Sequence, residues 1–167
     1  MKVVRDAKAK KTAKNGDEGT HAEGGKFTGV VTQEELIRVN KAFLPPEANG
    51  ARVLRVSFAA KARTHWHKHP AGQILHVVSG KGRVQEKREN SSELIEIGEG
   101  DTVYTPPNVW HWHGAAPDSP MVHIAINLIS QDIDEETNHR EHWGEAVSDQ
   151  DYGREPLSSP PKETSTL

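Results

Sequence analysis

Six short runs, "RVLRVSF", "GQILHVV", "GRVQEK", "ELIEI", "DTVYT" and "MVHIAINLI", are rich in Val and Ile and are bounded by Gly, Pro, Asn or Asp. Such punctuation predicts short strands joined by turns, and a succession of them predicts an all-β sandwich or barrel. "SGKGRV" and "EIGEGD" supply tight glycine turns between strands. The 167 residues carry no internal repeat, so one barrel is expected rather than two. Residues 1 to 25 and 154 to 167 hold few large apolar groups and are expected to stay disordered, which leaves 26 to 153 as the folded domain. Within it, "DIDEETNHREHWGEAVSDQDY" is acidic and weakly amphipathic, and predicts a short helix or an ordered tail lying on the barrel.

Composition narrows the function classes. Cysteine is absent, so disulfides, thiolate metal sites and cysteine nucleophiles are excluded, and any metal must sit on nitrogen and oxygen. A formal charge of −3 argues against nucleic acid as a main partner, and the basic stretch from Lys2 to Lys14 reads as a solvated tail. No apolar run approaches the roughly 20 residues that span a bilayer. The start also lacks the apolar stretch of a signal peptide, so a cytoplasmic protein with no membrane partner is expected.

Histidine is the unusual feature. Thr64 to Gly80, "THWHKHPAGQILHVVSG", contains four, and "GDTVYTPPNVWHWHGAA" adds His111 and His113. Side chains alternate along a strand, so His67, His69 and Gln73 share one face if the segment stays extended, and His65 has the same parity. His111 and His113 share a face of a second segment, and His123 is inward on a third, whereas His76 has the opposite parity. Trp66, Trp110 and Trp112 interleave with these histidines and are expected to pack behind them or at a subunit contact. Imidazoles and a carboxamide converging inside a barrel are costly without a common partner, and a divalent metal is the economical one. His139 and His142, three apart, resemble a ligand pair on a helix but have no further ligand nearby.

The spacing resembles the two cupin motifs: His67-Lys68-His69, three residues, Gln73, six residues, Gly80; then Gly100, five residues, Pro106 and, four residues on, His111. Gln73 stands where many cupins carry Glu, and Asn108 where the second motif usually has Gly. From about Phe27 to Tyr152 the chain is similar to the small single-domain cupins that include manganese-dependent bacterial hydroxynitrile lyases. That resemblance implies a metal held by His67, His69, His111 and Gln73. It further implies proton transfer by His113 and His123 and a threonine, Thr64, near the metal. His65 replaces a small residue of the lyases, and Leu54 falls where a small residue leaves room, so Leu54, Thr64 and His65 are expected to border the substrate pocket.

Mn²⁺ or Fe²⁺ suits such a mixed nitrogen and oxygen set, with Zn²⁺ or Ni²⁺ as alternatives. The expected reaction acts on a small hydroxy or carbonyl compound, most sharply cyanohydrin cleavage or formation. A cupin dioxygenase, a polyketide-type cyclase or isomerase, and a non-catalytic metal-containing small-molecule binding module are the alternatives. Bare sheet edges are a liability, so a homodimer or homotetramer is expected.

Overall fold

The computed structural model describes the backbone of residues 10–15 and residues 25–39, 50–87, 93–129 and 142–156. Twelve strands and one short helix occur among them. In chain order these are β1 (Lys10–Asn15), β2 (Phe27–Thr28), β3 (Val30–Val39), β4 (Gly50–Phe58), β5 (Arg63–Thr64) and β6 (His67–Lys68). They continue with β7 (Gln73–Glu86), β8 (Leu94–Gly98), β9 (Thr102–Thr105), β10 (His111–Ala115), β11 (Met121–Ile129), β12 (His142–Trp143) and α1 (Asp149–Tyr152).

All the pairings are antiparallel, and the long β7 joins two sheets. Its first half lies between β11 and β9, in the sheet that continues through β4 and β3 to β1; its second half lies between β8 and β10, which leads on to β5 and β2. The chain thus forms the single all-β barrel that its punctuation predicts. The inner faces follow the period-2 rule: in β11, Met121, His123, Ala125 and Asn127 are buried, and the residues between them are half-exposed. Leu54, Val56, Phe58, Leu75, Val77 and Met121 form the centre of the apolar core between the sheets.

The bend in β7 needs Gly80. It has a φ of 80°, and a Cβ there would overlap the backbone carbonyl of Pro120. A second cluster, of Trp66, Leu94, Trp112, Val147 and Tyr152, packs behind the second sheet, with Trp110 partly buried against it. Here the chain after residue 141 returns to the barrel. Trp66 N–H donates to Glu145 O at 3.0 Å and Gly144 N–H to Trp66 O at 2.7 Å, and Tyr152 donates its hydroxyl to Ala115 O at 2.8 Å.

Lys10–Asn15, which falls in the stretch expected to stay disordered, pairs along β3; the rest of 1 to 24 lies outside the described residues. Only the end of the acidic segment is described. It forms the two-residue β12 and the single turn α1, started by Ser148, whose hydroxyl accepts from Asp151 N–H. His142 is exposed on β12 rather than on a helix, and His139 lies outside the described residues. Of the C-terminal tail, 154–156 is described, and Arg154 pairs with Asp151 at 2.8 Å.

Candidate metal centre

His67 sits in the middle of a three-strand row. β6 is only two residues long, yet it pairs with β10 on one side, where His67 faces His111, and with β12 on the other, where it faces Trp143. The two motifs are also tied through the backbone. His69 O accepts from Gly72 N–H at 3.3 Å and from Asn108 N–H at 2.9 Å, which joins the "TPPN" turn to the first histidine cluster. Asn108 has a φ of 61°, the left-handed region, where Asn is the best tolerated residue after Gly; that explains why it can stand in a glycine position.

Two of the histidine rings are oriented by the same device. His67 Nδ1 lies 2.9 Å from His65 O, and His111 Nδ1 lies 2.9 Å from Val109 O. A carbonyl can only accept, so each Nδ1 carries the proton and each neutral ring presents an Nε2 lone pair, as metal-binding histidines commonly do. Gln73 Nε2 donates to Asn127 Oδ1 at 2.8 Å, which turns Gln73 Oε1 toward His111 Nε2 at 3.0 Å. Those two atoms are both acceptors. Their spacing suits neighbouring ligands of one cation, since two ligand atoms about 2.1 Å from an ion at a right angle are about 3.0 Å apart.

The rest of the cluster is short of hydrogen-bond partners. Among the described residues His69 Nε2 and both ring nitrogens of His113 and of His123 have no hydrogen-bond partner and are buried. Ring centroids are 4.3 Å apart for His67 and His111, 5.1 Å for His67 and His69, 5.2 Å for His67 and His113 and 4.9 Å for His113 and His123. One nitrogen from each of His67, His111 and His113 falls within 4.8 Å of the others, a trio able to hold a divalent ion. His69, also expected as a ligand, is not part of that trio.

Burial keeps these rings neutral. It pushes His67 and His113 well below the usual imidazole value, helped by neighbouring imidazoles, and pushes His69 to about 3, with His111 and Arg52 adding repulsion. His123 is pushed to about 4, also by burial. Burial lowers His111 as well, and its bond to Val109 O partly offsets that. Neutral lone pairs without donors, beside an amide oxygen, fit a cation.

The cavity bordered by His67, His69, His113 and Gln73 has a free volume of about 20 Å³, and neither His111 nor His123 is among its lining residues. His67, His69, Gln73, His113, Thr64, Gln33 and Asn127 form its polar side, and Phe27, Leu54, Val56, Ala125 and Trp143 its apolar side. Leu54 and Thr64 are among the lining residues. His65 is not: its side chain is buried, and its backbone, donating to Lys26 O and accepting from His67, supports the cluster. His76 faces outward, as its parity predicts, 2.9 Å from Thr102 Oγ1. Gln33, Asn127 and Trp143 were not picked out from the sequence. The first two had a signal in inward strand parity; Trp143, stacked on His67 at 4.6 Å, had none, because its position depends on the returning chain. A larger cavity, about 200 Å³, is bounded by β7, β8 and β9 and also reaches His111.

Comparisons with known proteins agree with this geometry. Residues 54–127 match the cupin domain. An (R)-mandelonitrile lyase from Granulicella tundricola is 38% identical over 130 residues, which cover 77% of this chain and 86% of the relative. A cupin-like protein from Thermotoga maritima, known from its crystal structure, is 37% identical with a TM-score of 0.62, over 83% of this chain and 92% of that one. Another structure from the same organism, described as a predicted oxalate decarboxylase, shares the fold at 18% identity and a TM-score of 0.56, over 77% of this chain and 99% of that one.

Proposed function

Since the chain belongs to the cupin family, we propose that it is a metal-dependent enzyme of small hydroxy or carbonyl compounds, and most sharply a lyase that splits a cyanohydrin into a carbonyl compound and HCN, or joins them. One observation carries the reading: buried neutral imidazoles gather beside the Gln73 oxygen, with two acceptors, His111 Nε2 and Gln73 Oε1, in contact and no proton between them, in a chain that aligns over most of its length with a mandelonitrile lyase. His67, His69, His111 and Gln73 are the assigned ligands, with Mn²⁺ or Fe²⁺ the favoured ion and Zn²⁺ or Ni²⁺ the competitors. His113 is near enough to compete for a ligand position. When bound, the ion supplies Lewis acidity that makes a substrate hydroxyl easier to deprotonate.

The chain's own groups do the rest. Thr64 Oγ1 accepts from His113 N–H at 3.1 Å, which leaves the threonine hydroxyl hydrogen to be donated to a substrate atom. His113 presents a neutral ring in the same cavity and takes the substrate's hydroxyl proton. The oxygen's electron pair then forms the carbonyl, the C–CN bond breaks with its electron pair leaving on cyanide, and a proton delivered to cyanide completes HCN. His123, at 4.9 Å from His113 between centroids, holds or returns that proton. Leu54, Val56, Phe27 and Trp143 form the apolar wall against the substituent.

The test begins with elemental analysis of the purified protein and of the His67→Ala, His111→Ala double variant. Close to one Mn or Fe per chain, lost in the variant, is expected. The metal-loaded protein should then release acetone from acetone cyanohydrin and, more slowly, benzaldehyde from mandelonitrile, and the metal-stripped protein should release neither. Absence of turnover across a panel of cyanohydrins by the loaded protein would sink the lyase reading and leave the metal centre standing.

A further inference from the structure

Gln73 can present either end of its amide to the cluster, and only the oxygen can serve a cation. With His111 Nδ1 donating to Val109 O, His111 Nε2 is an acceptor. Without metal, the local preference is the wrong one: rotating the Gln73 amide would aim its NH₂ at His111 Nε2 and close the site with an N–H···N bond. Something must oppose that rotation. Gln73 and Asn127 are direct cross-strand partners of β7 and β11, both buried and on the inner face, and Gln73 Nε2 donates to Asn127 Oδ1 at 2.8 Å. Rotation of Gln73 alone would set its oxygen against that of Asn127 in a buried site, where two acceptors without a proton between them are unfavourable.

We propose that Asn127 is the positioning residue for Gln73, holding its amide so that Oε1, and not the NH₂ group, faces the imidazole cluster. The proposal rests on the reading of that cluster as a metal centre. It gives Asn127 a role that depends on residue 73 being an amide. A glutamate there has two equivalent oxygens and needs no such orientation. A concerted rotation of both amides would restore the closed arrangement, and Asn127→Asp, an acceptor in every rotamer, removes that option.

The experiment is a double-variant cycle on the full chain, read as Mn²⁺ affinity by competition with a chromophoric chelator, with thermal unfolding of each metal-stripped protein alongside. Asn127→Leu, close to isosteric, is expected to weaken Mn²⁺ binding by about 10- to 100-fold, the range for outer-shell partners of metal ligands. In the Gln73→Glu background the same change is expected to alter affinity by less than about threefold. Asn127→Asp is expected to bind at least as tightly as the unaltered protein, which separates loss of the acceptor from loss of the fold. An equal loss in both backgrounds would make Asn127 a structural residue, and no loss in either would make it irrelevant to Gln73; both results overturn the proposal. An unaltered protein that binds none of Mn²⁺, Fe²⁺, Zn²⁺ and Ni²⁺ overturns the metal reading and this proposal with it.

Discussion

Leu54 borders the small cavity beside the histidines. It is 3% exposed, lies on the inner face of β4 and lines a space of about 20 Å³, only slightly more than a single water needs. Leu54→Ala is expected to cost about 2–5 kcal/mol of stability, the usual range for a buried leucine, and to widen the chamber. The readout is the ratio of mandelonitrile to acetone cyanohydrin turnover, which should rise at least about tenfold, or about 1.4 kcal/mol of discrimination. An unchanged ratio would show that Leu54 does not border the substrate. Residue chemistry in the sequence already pointed to the histidines through their alternating parity. It did not show that His65 works through its carbonyl, because a backbone contact leaves no trace in residue type.

Two elements hold the ligand strands in place. The turn through Pro107 and Asn108 binds back to His69 O, and its left-handed residue makes it sensitive to substitution. Asn108→Ala is expected to cost about 1 kcal/mol, lowering the melting temperature by about 2–4 °C, while Asn108→Gly should leave it within about a degree; differential scanning calorimetry distinguishes them. The second element is the returning segment from β12 to α1. The buried Arg63 donates to Val147 O and to Asp149 Oδ1 at 2.9 and 2.7 Å, and its guanidinium lies 4.5 Å from the Tyr152 ring centroid. Arg83 donates to Tyr152 O at 2.9 Å. Tyr152→Phe leaves Ala115 O without its hydroxyl donor and is expected to cost about 1 kcal/mol by urea unfolding. The same change should leave metal content unaltered, because the ring still fills its place beside Trp112. The sequence suggested a short helix or ordered tail here, but a two-residue strand has no periodicity to read.

For the whole molecule, five of the buried imidazoles, those of His67, His69, His111, His113 and His123, are held below their usual pKa and shape the response to acid. Unfolded, each titrates near 6.5. Folded, burial keeps them neutral to lower pH, down to about 4 for His123 and about 3 for His69. Between those limits the unfolded chain binds more protons, so stability falls as pH drops through 6.5, by up to about 1.4 kcal/mol per pH unit for each ring that stays neutral. Glu35 adds a loss at lower pH, because bonds from Arg38 and Arg52 hold its carboxylate below the ordinary value. Urea unfolding of the metal-stripped protein should therefore show a clear decline from pH 8 to pH 5, before most carboxylates titrate; a flat profile would contradict neutral burial.

Much of this arrangement is local and was readable in one dimension. The period of two assigns His67, Gln73, His111, His113 and His123 to inner faces, turn residues bound the strands, and the lack of cysteine leaves nitrogen and oxygen as the donors. The rest depends on register between segments far apart in the chain. Only the folded barrel sets His67 between His111 and Trp143, places Asn127 opposite Gln73 and brings His113 as near the centre as the expected ligands. Local preferences determine which face a side chain takes, but which side chain it meets there is decided by how the strands pair.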